Sequence, residues 1–224
     1  MTSHMTAPGY QFPDKASYNK VIAKAKIYQQ AKVGQKLKEK FVRQLDKITW
    51  RYVLAPETIN LPAKQGIAEI AIIDIRLKTP DLDEAVLHAI DKRVRIPIIY
   101  QLFYNEQIKT VVGYKRPSDA DAKHWVVEAY FGSEWQPESA PRLELPVALN
   151  LSALYEPLLQ AVIPYPPRQG ESLKAQVARI QSLRAQQRAC DKLETQINRE
   201  KQFNRKVDLN SQLHECKKTL QQLM

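Results

Sequence analysis

The sequence predicts an α/β protein of the α+β kind: a small mixed β-sheet with packed helices, followed by a C-terminal antiparallel helical hairpin of coiled-coil type. Three observations predict it. Two alternating, β-rich segments, residues 67–77 (IAEIAIIDIRL) and 97–104 (PIIYQLFY), flank a short helical pattern, and a helical crossover makes such strands parallel neighbours. A further alternating segment, residues 107–114 (QIKTVVGY), follows a two-residue polar break at Asn105 and Glu106, the signature of a β-hairpin. Finally, residues 171–224 contain neither proline nor glycine, although the chain has 14 prolines and 6 glycines.

The elements follow in chain order. Residues 1–14 are read as a disordered N-terminus that begins with a tag-like MTSHM. Residues 17–30 (SYNKVIAKAKIYQQ) predict a short helix capped by Ser17. In residues 35–47, Leu37, Phe41, Leu45 and, just beyond, Ile48 recur at helical spacing and predict one apolar face. Residues 49–54 alternate and predict a short strand, and Pro56 and Pro62 bound an ordered turn. Asp81, Asp83 and Glu84 open a helix running to about Lys92, with acidic residues at its positive end. Residues 118–123 are a polar loop, 124–131 (HWVVEAYF) a strand, and 136–146 a proline-rich acidic loop. Residues 150–162 predict a helix capped by Asn150 or Ser152, with Pro157 near its start. The segment PYPPRQG, residues 164–170, is a stiff linker. The organisation is therefore an α/β domain over 15–163, a linker over 164–170 and a helical region over 171–224.

The tail carries its own symmetry. Leu209, Leu213, Cys216, Leu220 and Leu223 form a heptad seam. Upstream, Leu183, Cys190, Leu193 and Ile197 show the same spacings in reverse order. Leu183 and Leu223, Cys190 and Cys216, Leu193 and Leu213, and Ile197 and Leu209 are each equidistant from Phe203. Two antiparallel helices folded there produce this pattern, with a turn over residues 201–206 using Asn204. A single continuous helix that dimerises through the seam, giving a homo-oligomer, is the alternative. Cys190 and Cys216 are read as buried small hydrophobes, close enough for mild oxidation to link them within one chain.

Charge is segregated. The formal net charge is +10. Residues 15–51 hold eleven basic and two acidic side chains, and residues 168–224 hold twelve and six. Residues 52–167 are acidic, with eleven against fifteen. Such asymmetry points to an anionic partner, DNA or RNA. The candidate phosphate contacts are Arg199, Lys201, Arg205 and Lys206 at the hairpin tip. Lys115 and Arg116 are added because Tyr104 and Tyr114 nearby can stack bases. No apolar run of about 18 residues spans a bilayer. No leader pattern is visible, and the two cysteines form no scaffold. The expectation is a cytoplasmic protein with reduced thiols and no membrane contact.

Catalytic signatures are sparse. A restriction-type nuclease needs carboxylates around Mg²⁺ and a lysine. The nearest set is Glu69, Asp74 and Lys78, but Glu69 and Asp74 are five residues apart and face opposite sides of a strand. The four histidines lie far apart, so no metal site is read. No glycine-rich phosphate loop occurs, and no cofactor is expected.

Several stretches together resemble a bacterial family: KLKEKF, ITWRYVLAPETINLP, DEAVLHAIDKRVRIPIIYQLFY, VVGYKR and REKQFNRKVDLN. The family is the domain of unknown function four-three-nine-one. The resemblance covers nearly the whole chain and implies genomic company beside helicases and DNA methyltransferases in restriction-like or anti-phage operons. It implies no catalytic residues. The combined expectation is a non-catalytic accessory or scaffold subunit that binds a helicase or methyltransferase, and DNA. A Mg²⁺-dependent nuclease around Glu69 and Asp74, and a self-associating coiled-coil protein, are the alternatives.

Overall fold

The computed structural model describes residues 9–31, 33–92, 94, 96–117 and 125–224. The chain divides into two compact units, Met1–Pro164 and Tyr165–Met224.

Among the described residues, the first unit is built on one mixed sheet. Its strands are β1 (Ser17–Val21), β2 (Leu45–Leu54), β3 (Ile70–Leu77), β4 (Ile98–Tyr104), β5 (Gln107–Pro117) and β6 (Trp125–Gly132). They lie in sequence order, and β7 (Gln136–Pro137) also pairs with β5. Only β3 and β4 pair in parallel, joined by the crossover helix α4 (Glu84–Asp91), as the sequence predicts. Asp83 caps α4 by accepting from the Ala85 N–H at 2.9 Å. The hairpin between β4 and β5 turns on Asn105 and Glu106, both at positive φ. The predicted loop at 118–123, and His124 at the start of the last predicted strand, lie outside the described residues.

Two early expectations change. Residues 17–21 form a strand rather than the start of a helix, pairing antiparallel with β2. Pairing with the β2 edge outweighs the local helical pattern, and the helix α1 begins only at Lys24 (Lys24–Ala31). Ser17 is not the N-cap of the predicted helix: it closes a single 3-10 turn, Asp14–Ala16, through its backbone N–H on the Asp14 carbonyl, and its hydroxyl accepts from Asn19 at 2.5 Å. Residues 9–14, read as disordered, are instead ordered: Gly9 and Gln11 exchange backbone hydrogen bonds with Leu143, and Phe12 is buried.

Helix α2 (Gln35–Gln44) runs into β2 with no intervening loop. The apolar series at helical spacing therefore crosses an element boundary. Phe41 is on the helix, while Leu45 and Ile48 are on the strand, all three buried. A bulge between Leu45 and Lys47 lets two strand residues three apart reach one face. One sheet face packs Ile48, Ile73, Ile75, Ile98 and Leu102 in a core with residues of α1, α2 and α4. The opposite face buries Ile70, Ile72, Ile99, Val112 and Phe131, then turns polar toward Asp74 and Gln101. Helix α3 (Pro56–Ile59) occupies the predicted ordered turn, and α5 (Leu151–Gln160) is capped by Asn150.

In the second unit α6 (Leu173–Arg199) and α7 (Phe203–Leu223) fold back on each other. The sequence-predicted seam is buried or half-buried throughout, from Leu183 to Leu223. Cys190 and Cys216 face each other with Cα atoms 5.8 Å apart and are joined as a disulfide, not held as the two free thiols expected. The preceding linker is fastened to α6. Arg179 pairs with Glu171 at 2.7 Å and donates to the Pro166 carbonyl, and Gln176 donates to the Tyr165 carbonyl.

Candidate nucleic-acid interface

The hairpin turn is three residues, Glu200 to Gln202, shorter than the predicted 201–206 and displaced toward α6. Asn204, expected to make the turn, lies inside α7. No glycine is needed, because Glu200 (φ −72°, ψ 131°) and Gln202 (φ −84°, ψ 122°) turn the chain with ordinary extended backbone. The Glu200 carboxylate supplies the missing stabilisation. It accepts from the N–H groups of Lys201 and Gln202, both at 2.8 Å. These bonds, with Arg205 nearby, hold its carboxyl below the usual range.

That use of Glu200 leaves the tip cations facing outward. Arg199, Lys201, Arg205 and Lys206 are all exposed. Phe203, the first residue of α7, is 78% exposed and Val207 52%. A groove of about 490 Å³ runs along one side, lined by Arg199, Glu200, Arg205 and Asp208 among others. Exposed cations can pair with phosphates, and an exposed aromatic ring among them can stack on a base.

The other predicted contacts land elsewhere. Lys115 is a correction: its ammonium lies in the core, 2.6 Å from the Asp91 carboxylate, with both side chains 2% exposed. It also donates to the carbonyls of Val94 and Ile96. Asp91 in turn accepts from the hydroxyls of Tyr100 and Tyr130. Burial lowers the Lys115 pKa, and Asp91 partly restores it. The cluster ties the end of α4 to β4, β5 and β6. Arg116 reaches the strand surface but pairs with Glu128 at 2.6 Å. Tyr114 is buried and Tyr104 half-buried against Trp135, so this hairpin offers no open stacking platform.

The three nuclease candidates are not brought together. Asp74 faces a polar cleft on the sheet, and neither Glu69 nor Lys78 lines it. Glu69 precedes β3, and Lys78 donates to the Val42 carbonyl. Among the described residues no group of three or more His, Cys, Asp or Glu is placed to hold a metal. No helix among them is long and apolar enough to cross a membrane.

A family model described as Domain of unknown function (DUF4391) matches residues 11–220. The chain belongs to this family. The DUF4391 match takes in both compact units, so the sheet with its Asp74 cleft and the hairpin with its cationic tip both fall within the family's extent. The comparisons with curated proteins and with solved structures match nothing.

Proposed function

We propose that this chain is a non-catalytic accessory subunit that binds nucleic acid through the tip of its helical hairpin. In this reading it serves a larger DNA-acting partner, a helicase or methyltransferase of a restriction-like or anti-phage system. The observation that supports it is the tip itself. Four exposed cations, Lys201 in the three-residue turn and Arg199, Arg205 and Lys206 in the helix ends beside it, surround an acid, Glu200, that is engaged by the backbone. Phosphate binding by such a tip requires no reorganisation of the seam, because none of the four side chains packs in it.

The test is charge reversal at Arg199, Lys201, Arg205 and Lys206 to Glu, read by fluorescence anisotropy on duplex and single-stranded DNA across salt concentrations. Each lost phosphate contact lowers the log–log salt slope by roughly 0.7 to 0.9. The variant is expected to bind more weakly at low salt, with a slope smaller by about 3. Binding and slope equal to those of the unchanged chain would remove the tip from the reading. Co-purification with neighbouring gene products identifies the partner.

A further inference from the structure

The polar half of the sheet face opens into a cleft of about 290 Å³. Its floor is set by strand register. Thr49, Asp74 and Gln101 are Cα partners across β2, β3 and β4, and Lys47 and Arg76 are partners one step along. A bulge in β2 lies between Trp50 and Tyr52. It brings both Arg51 and Tyr52 to the cleft, although consecutive strand residues ordinarily face opposite ways. The rim comes from the segment after β7. Glu138 is held through its N–H on the Glu106 carbonyl, and Arg142 precedes Leu143, which is bonded to Gly9 and Gln11.

Four cations, Lys47, Arg51, Arg76 and Arg142, meet two carboxylates, Asp74 and Glu138. The excess is positive, yet the cations are not spent on the acids. Arg51 approaches Asp74 only to 3.9 Å and is held instead by Asn19, a residue at φ 55°. Arg76 lies over the Phe103 ring. Asp74 Oδ1 is buried and accepts no hydrogen bond from any described residue. A buried acceptor left without a donor calls for an explanation. Guanidinium groups, in turn, present paired donors matched to phosphate oxygens.

We propose that this cleft binds a single nucleotide, with Arg51, Arg76 and Arg142 donating to its phosphate and Asp74 accepting from a sugar hydroxyl or base amino group. A bare phosphate dianion satisfies the arginines but is repelled by Asp74. A nucleotide satisfies both, because it carries donors beside its phosphate. The volume, about 290 Å³, lies just under the roughly 300–1,000 Å³ range of ligand pockets, so one nucleotide unit, partly open to solvent, is the most it holds. Tyr52 and Phe103 line the same wall, and the Arg51 and Arg76 guanidinium groups lie over their rings. A free mononucleotide and the phosphorylated end of a strand present this same chemistry. The site stands independently of the hairpin tip.

The experiment is isothermal titration calorimetry on the full chain, with Arg199, Lys201, Arg205 and Lys206 each changed to Gln so that the tip contributes nothing. The probes are adenosine monophosphate, inorganic phosphate, and short single strands ending in a phosphate or in a hydroxyl. One site per chain is expected for the mononucleotide, the phosphate-ended strand, or both, and which of them binds distinguishes the source. Arg142→Gln, in a surface segment, is expected to weaken that binding about tenfold or more. Asp74→Asn is expected to weaken the nucleotide while leaving inorganic phosphate equal or tighter. Thermal melting of each variant checks its fold. The proposal fails if neither phosphorylated probe binds, if the hydroxyl-ended strand binds as tightly as the phosphate-ended one, or if folded Arg142→Gln binds unchanged.

Discussion

Burial pushes the Asp74 carboxyl up to about 6, against the opposing pull of Arg51, Arg142 and Arg76. A carboxyl raised in the folded state binds its proton more tightly there than in the unfolded chain. Its stabilising contribution is therefore complete below about pH 4 and is lost as pH rises through about 6. At neutral pH the ionised group costs on the order of 2 to 3 kcal/mol. Asp74→Asn should thus raise stability at pH 8 and lose that advantage below about pH 4. Urea unfolding of both proteins across pH 4 to 8 checks this, and a pH-independent difference would contradict it. Asp91, the last residue of α4, has the opposite circumstances: a cation and two hydroxyls converge on it. These two fates were not legible in the residues. Asp74 reads as a strand acid whose neighbours are set by a bulge. Lys115 reads as a surface cation until Asp91, twenty-four positions earlier, is folded against it.

At the scale of elements, long periodic segments were readable and junctions were not. The parallel pairing of β3 with β4 follows from strand, helix, strand order, and the facing of α6 and α7 follows from mirrored heptads. The β1 strand was missed because its five residues are all exposed and lack an alternating apolar pattern. Its existence depends on a partner edge, which no local pattern encodes. The junction of α2 with β2 was missed because a bulge lets a strand imitate helical spacing. The hairpin carries a prediction of its own. Its disulfide joins positions 26 apart, and closing a loop of that length removes unfolded-state freedom worth about 3.5 kcal/mol. Adding reductant, or changing both cysteines to Ala, should lower the unfolding free energy read from the helical signal in urea by that amount and move the midpoint to lower denaturant. An unchanged midpoint would mean that the seam alone sets the stability.

At the scale of the whole molecule, positive charge belongs to the two ends of the chain and the acidic excess to its middle. The fold sorts that charge further. Lys115 is withdrawn into the core, Lys40 pairs with Asp83, and the tip cations stay exposed. Composition along the chain therefore shows where the cations lie in the sequence, but not which of them the fold leaves at the surface. The sequence also left open whether the heptads pair within a chain or between chains. In the structure the seam is filled by the chain's own second helix, so it has no vacant face for a second copy. Multi-angle light scattering at micromolar concentration should accordingly return the mass of one chain. A dimer that dissociates when the seam leucines are made polar would reverse that expectation.

The bond between Cys190 and Cys216 also decides how the protein responds to mechanical load. Stretched from its two ends, the oxidised chain keeps the segment between those sulfurs out of the path of tension, hiding about 90 Å of contour. The bend with its cations would then hang as an unloaded loop even after the rest of the molecule had been drawn straight.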